Sequence, residues 1–181
     1  HRVAPARSGI DIARDRLDVP QAPGLDPGAP NQRVPMQADH LEAVLAIEKT
    51  AYSHPWTHGN FMDALHAGYW AQVWLNAQHE VIAYALAMAG VEETHVLNLT
   101  VAPTHQGQGW ARHMLHALVQ WSQQQRARTL WLEVRASNAR ARRLYVAYGF
   151  QHVGERKNYY PGLGRTREHA VVMRLDLPPL A

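Results

Sequence analysis

Cysteine is absent from this chain. That excludes disulfides, thiolate metal sites and a cysteine nucleophile, and with them any acyl-cysteine intermediate. It fits a reducing cytoplasm. No apolar run is long enough to cross a bilayer, and no signal-peptide core is visible. Charge is sparse: 18% of residues are charged and the formal net charge is +3. So small a basic excess does not argue for a nucleic-acid binder, but it suits an anionic small molecule. The glycine turn near residue 108 lacks the Lys-Ser/Thr of a phosphate-binding P-loop, and its spacing is not the dinucleotide fingerprint. What the chain does have is 181 residues, 46% of them hydrophobic, enough for one domain with a real core. Histidine is frequent, at 12. His54 with His58, and His113 with His116, have metal-compatible spacing, but no acidic or third ligand accompanies either pair. Exposed imidazoles are the preferred reading, and no metal is expected.

Residues 1–35 are rich in Pro, Ala, Arg and Gly, with prolines at 20, 23, 27, 30 and 35. They read as a flexible leader or linker without regular structure. The domain is expected over 36–177, with a short tail at 178–181. Asp39 with Glu42 suggests a capping box for a helix bearing Leu41, Val44, Leu45 and Ile47. Thr57 is placed to cap a second helix with Phe61 and Leu65 inward. Strands are expected at 69–75, 81–88 and 95–101, then a helix at 110–125 with Ala111, Met114, Leu115, Leu118 and Val119 as its apolar stripe. Thr129 to Arg135 alternates strictly: Leu130, Leu132 and Val134 on one face, Trp131, Glu133 and Arg135 on the other. A helix at 139–148, capped by Ser137 or Asn138, stops at Gly149. Strands at 150–155 and 169–175 close the domain, joined by a long loop at 156–168. The fold class is α+β: a mixed, mostly antiparallel sheet with helices on both faces.

Four features can carry chemistry. First, an apolar strand ends at Pro103 and a turn with Gly107 and Gly109 opens a helix. This brings free backbone N–H groups and the positive end of a helix dipole to one point, a phosphate site. Second, Glu133 is a carboxylate on a half-buried strand face: a candidate base, or a partner of Arg135 or Arg156. Third, Asn138 precedes the following helix and Tyr145 lies within it. Tyr145 is a proton donor or a core anchor; Asn138 is a cap or a ligand contact. Fourth, Asn158-Tyr159-Tyr160-Pro161 offers an aromatic wall for an extended peptide, or a plug for the end of the sheet.

Three segments taken together carry a resemblance: Leu130-Trp131-Leu132-Glu133-Val134-Arg135-Ala136-Ser137-Asn138, Leu144-Tyr145 through Tyr148-Gly149-Phe150, and Arg156-Lys157-Asn158-Tyr159-Tyr160-Pro161. From about Met36 to Leu177 the chain resembles the GCN5-related N-acetyltransferase (GNAT) family. Within it, the likeness is to the RimI-type branch, which acetylates the N-terminal alanine of a small-subunit ribosomal protein. Pro55-Trp56 matches as well; the leader has no counterpart. The resemblance implies a sheet with splayed central strands and acetyl-CoA as co-substrate. It implies Glu133 as general base and Tyr145 as general acid. Asn98, Leu99, Thr100 and Val101 would lie along pantetheine. Gln106, Gly107, Gln108, Gly109, Trp110, Ala111 and Arg112 would form the pyrophosphate arm, with Asn138 a further coenzyme contact. Trp56, Tyr159 and Tyr160 would lie near the acceptor. Gly107 stands where a basic residue is common, Trp110 replaces an aliphatic residue, and Ala111 replaces a common glycine.

The implied reaction is direct transfer to a neutral amine. An α-amino group has a pKa of about 7.7–8.0 and a lysine about 10.4, so neutralising lysine costs roughly 3.5 kcal/mol more. One glutamate suits the easier task. The resemblance implies the N-terminus of a ribosomal protein as acceptor, met in the cytoplasm by a monomer or weak dimer without membrane or primary nucleic-acid binding. The alternatives are acetylation of a lysine or a small amine, and a non-catalytic acyl-CoA sensor.

Overall fold

The computed structural model describes the backbone of residues 7–9 and residues 32–180. The strands are β1 (Arg7–Gly9), β2 (Gln32–Pro35), β3 (Trp70–Leu75), β4 (Val81–Ala89), β5 (Glu93–Val101), β6 (Thr129–Arg135), β7 (Gln151–Pro161) and β8 (Arg167–Asp176). The helices are α1 (Leu41–Ala51), α2 (His58–His66), α3 (Trp110–Gln124) and α4 (Ala139–Tyr148). The sheet runs β2-β3-β4-β5-β6-β8-β7, with β1 paired to β5. Only β5–β6 and β1–β5 are parallel pairs among the described residues. Among those residues, no helix is long and apolar enough to cross a membrane.

Two cores lie on the two faces of the sheet. On one face α3 and α4 cover Ala83, Ala85, Leu99, Val101, Leu130, Leu132 and Val134. On the other, α1 and α2 cover Val73, Tyr84, Leu86 and Leu97. Strand β4 is therefore buried on both sides and reads as a continuous apolar run. Its alanines face α3, whose bulkier Trp110, Met114 and Leu118 fill the space.

The centre of the sheet opens. β5 and β6 pair only over Glu93–His95 and Thr129–Trp131. Just beyond, β5 carries an extra residue: Ala87 pairs Val96 but Leu86 pairs Asn98, so Leu97 is bulged. A bulge bends its strand and raises the local twist. Here it turns β5 away from β6 and leaves a wedge between Asn98–Val101 and Leu132–Arg135.

Three expectations are corrected. Residues 32–35 are a strand and not leader: the residues form the edge β2, paired antiparallel with β3. Pro35 is tolerated because an edge strand needs ladder bonds on one side only. Residues 7–9 also form a strand on β5; the rest of the leader through residue 31 lies outside the described residues. The loop expected at 156–168 is mostly strand. β7 runs to Pro161 across a bulge, since Arg156 pairs Ala170 and Tyr160 pairs Glu168, leaving Lys157, Asn158 and Tyr159 opposite His169 alone. Left-handed Asn158 (φ 53°) donates its N–H to His169 Nδ1 at 2.9 Å and fixes the bulge. Finally, α1 is not entered through an Asp39–Glu42 box. A 3₁₀ turn at Ala38–His40 precedes it, and the Gln37 N–H donates to His40 Nδ1 at 2.9 Å. The Thr57 cap is as expected: its Oγ1 accepts from the Asn60 N–H at 3.1 Å, and Asn60 Oδ1 accepts from the Thr57 N–H at 2.9 Å.

Candidate active site

The wedge gathers most of the residues singled out in the sequence. Alternation sends Leu132 and Val134 of β6 into the core beneath α3 and α4, so Glu133 projects from the opposite face, the one shared with α1 and α2. Its side chain is 16% exposed, and Oε1 accepts from Arg156 Nε at 3.1 Å. The guanidinium of Arg156 also lies over the Tyr159 ring at 5.2 Å. Glu133 is thus a half-buried carboxylate at the mouth of the opening, bordered by a cation and an aromatic. Of the two readings of Glu133, the structure shows the arginine partner, and that partner is Arg156.

Tyr145 approaches from the other face. It is fully buried, edge-on to Phe150 at 5.5 Å, in the core formed by α4 and β6. Glu133 and Tyr145 lie on opposite faces of a sheet that is unpaired between β5 and β6 at their level. The wedge lies between them, and β1 pairs with its β5 edge over Asn98–Thr100.

The start of α4 is anchored by a polar cluster. Arg135 donates through Nη1 to the Pro161 carbonyl at 2.8 Å and to Glu168 Oε2 at 3.1 Å. Glu168 Oε1 accepts the Ser137 N–H at 2.6 Å. Partial burial pushes the Glu168 carboxyl up, but the Ser137 and Arg135 hydrogen bonds outweigh it and hold the group below its usual range. The next residue, Asn138, caps α4 by accepting the Ala141 N–H at 3.2 Å. Tyr160 is buried beneath the Arg135 guanidinium (4.7 Å to the ring centroid), and its hydroxyl donates to the Glu133 carbonyl at 3.2 Å. It braces the strand that carries Glu133. Tyr159, raised on the bulge and half-exposed, is the member of the pair that faces outward.

At the other end of the wedge, β5 runs through Ala102 and a 3₁₀ turn (Pro103–His105) into the glycine turn and α3. Gln106 Nε2 bonds the Val101 carbonyl at 3.1 Å. Gly107 and Gly109 have φ of 75° and 85°, a region open to glycine without steric cost. The helix starts at Trp110, so the bulky residue does not displace it; the ring is buried, as is Ala111. Both can reach a ligand only through backbone N–H groups, which the first turn of a helix leaves without carbonyl partners. Arg112 is 6% exposed, and among the described residues its Nε and Nη2 have no hydrogen-bond partner. Its guanidinium lies over the Tyr148 ring, 5.9 Å from the centroid. Burial, and then Arg112 itself, lowers the His116 imidazole; burial pushes the Tyr148 phenol up to about 12, against the pull of Arg112. Free N–H groups at the positive end of a helix fit a pyrophosphate.

Sequence reasoning missed the polar cluster under α1. Glu48 is completely buried. Its Oε1 accepts from the Tyr84 hydroxyl at 2.7 Å and from Asn98 Nδ2 at 3.1 Å; its Oε2 accepts the Trp56 N–H at 2.8 Å. Burial, with the Glu48 carboxylate next to it, pushes the Tyr84 phenol well above its ordinary value, so it stays a donor. The signal was legible: 41, 44 and 48 form one stripe of α1, and a glutamate occupies the third position. Trp56 packs its ring on Phe61 at 5.1 Å and is 2% exposed, so it shapes this side of the site through its backbone. Among the described residues no group of three or more His, Asp or Glu could hold a metal. His54 lies before α2, not on it, and bonds Ser53.

Residues 41–150 match the acetyltransferase (GNAT) family. The chain belongs to the GNAT family of acetyltransferases. Among curated relatives, it is 40% identical over 131 residues to the [ribosomal protein bS18]-alanine N-acetyltransferase of Haemophilus ducreyi, covering 72% of this chain and 90% of that protein. The protein of the same name from Escherichia coli is 34% identical over 142 residues, covering 78% and 95%. The crystal structure of the Escherichia coli ribosomal-protein-S18-alanine N-acetyltransferase superposes with a TM-score of 0.75 at 32% identity, over 84% of this chain and 96% of that one. Arabidopsis thaliana NAA60 in complex with acetyl-CoA shares the fold, with a TM-score of 0.72 at 18% identity, over 82% of this chain and all of that one. As a GNAT acetyltransferase, the chain uses acetyl-CoA as its acyl donor.

Proposed function

We propose that this acetyltransferase modifies the N-terminal alanine of the small-subunit ribosomal protein bS18, in the cytoplasm where that protein is made. The observation that carries this reading is the 40% identity to a bS18-alanine N-acetyltransferase across nine-tenths of that relative's length. The geometry supports it. Glu133, at the mouth of the wedge, takes the proton that the α-amino group loses on attack. The backbone edge of Asn98–Val101 aligns pantetheine, and its N–H groups stabilise charge developing on the thioester oxygen. Tyr145 delivers a proton to the departing sulfur through the wedge. Gln106–Arg112 hold the pyrophosphate, Asn138 borders the same channel, and Tyr159, braced by Tyr160, flanks the acceptor opposite Trp56. One glutamate suffices because an α-amino group is already partly neutral near pH 7.5.

The full chain is expected to release free thiol from acetyl-CoA with a basic peptide beginning with alanine. The same peptide with a blocked N-terminus and internal lysines is expected to give none. Equal turnover of the blocked peptide, with acetyl-lysine in its mass spectrum, would overturn the reading in favour of a lysine acetyltransferase.

The leader adds a second expectation. On one edge of β5, Asn98–Thr100 pair with β4; on the edge facing the wedge, the same residues pair with Arg7–Gly9. Pantetheine therefore competes with β1 for that edge. Apparent affinity falls with the fraction of molecules in which a site is closed. A chain lacking residues 1–31 is thus expected to show a KM for acetyl-CoA lower by about threefold or more, with kcat unchanged. An equal or higher KM would show that the cofactor does not meet β1.

A further inference from the structure

We infer that Glu48 is a positioning residue for the acceptor: its carboxylate ties the segment between α1 and α2 to the strand that faces the thioester. This deepens the proposed function and rests on its reading of the acceptor as a peptide N-terminus.

The segment 52–57 is held at both ends by one hydrogen-bonded chain. At its start, the Tyr52 hydroxyl lies 2.6 Å from Thr100 Oγ1. Thr100 Oγ1 donates to Asn98 Oδ1 at 2.7 Å, and Asn98 Nδ2 donates to Glu48 Oε1 at 3.1 Å. At its end, the Trp56 N–H donates to Glu48 Oε2 at 2.8 Å. A hydroxyl has one proton to give. Since Thr100 gives its proton to Asn98, Tyr52 gives its own to Thr100 at 2.6 Å, the Leu99 carbonyl lying farther off at 3.4 Å. Every donor in the chain then points toward residue 48, and Tyr84 adds another. Only a group that accepts on both oxygens can end such a chain, and an ionised carboxylate does.

The placement gives this ring its purpose. Asn98 and Thr100 face α1, so they lie on the sheet face from which Glu133 projects. The backbone of β5 is fixed independently by its ladder with β4. The 52–57 segment is irregular, apart from its junctions with α1 and α2, and it borders the wedge on that face. Loss of the carboxylate therefore falls on the acceptor wall and spares the acetyl-CoA edge.

The test is E48Q, which keeps size but gives one side of the ring a donor in place of an acceptor. With the carbonyl oxygen toward Tyr84 and Asn98, the amide NH₂ opposes the Trp56 N–H. The expected result is a KM for the alanine peptide raised about tenfold, since small displacements of a positioned reactant have large kinetic effects. KM for acetyl-CoA stays within about twofold of the unaltered chain. Y52F, which cuts the other anchor without burying a new polar group, is expected to raise the peptide KM as well. V44A opens a cavity in the same core without removing any of these hydrogen bonds and is expected to leave the peptide KM unchanged even where its melting temperature falls as far as that of E48Q. The role is overturned if E48Q and Y52F leave the peptide KM unchanged, or if V44A raises it equally. It falls together with the reading of the acceptor if the unaltered chain does not turn over the alanine peptide at all.

Discussion

Glu133→Gln is expected to lower kcat by about 10²–10⁴-fold, the usual contribution of a positioned general base. Glutamine keeps the size of the side chain and can still accept from Arg156, which bonds Glu133 Oε1 at 3.1 Å. The fold and the KM for acetyl-CoA should therefore be preserved. What is lost is a proton acceptor. The deficit should shrink as pH rises past the α-amino pKa of about 7.7–8.0, because solution then supplies the neutral amine that the enzyme no longer generates. The measurement is kcat from pH 6.5 to 9 with saturating peptide. A variant that tracks the unaltered chain over that range would remove Glu133 from this role.

Tyr145→Phe is expected to lower kcat by a smaller factor, about 10–10²-fold. A phenol near pKa 10 holds its proton roughly 1.5 units more tightly than a thiol near 8.5. Handing it over is uphill by about 2 kcal/mol, and a thiolate of that basicity leaves unaided at an appreciable rate. The ring contact with Phe150 at 5.5 Å survives the substitution, so the protein should remain folded by circular dichroism. An unchanged kcat in a folded variant would assign Tyr145 to packing alone. The two variants separate the two ends of the reaction: Glu133→Gln should respond to pH through the amine, and Tyr145→Phe should not be rescued by raising it.

The elements that read well from sequence were those whose pattern is local. The alternation of Thr129 to Arg135 predicts both the strand and the outward face of Glu133, because strand periodicity is set by the backbone. The stop of α4 at Gly149, whose φ is 127°, is a property of glycine. Thr57 as a cap needed only Asn60, three residues on. The misreadings were non-local. Lys157 to Tyr159 look like loop until β8 is present to pair around the bulge. Gln32–Pro35 look like leader until β3 offers its edge. The sequence leaves Tyr160 as either wall or plug, and only packing buries it.

Sequence alone therefore determined the order of elements, the two candidate proton carriers, the glycine turn at the head of α3 and the family resemblance. Each of these depends on neighbours a few residues away or on a run of letters. Tertiary structure alone decided that the sheet parts between β5 and β6, that Arg156 sits on Glu133, and that a buried glutamate from α1 ties residues 52–57 to β5. Those facts depend on groups as many as 50 positions apart in the chain, and hydrogen bonds and burial at that separation exist only once the chain has closed on itself.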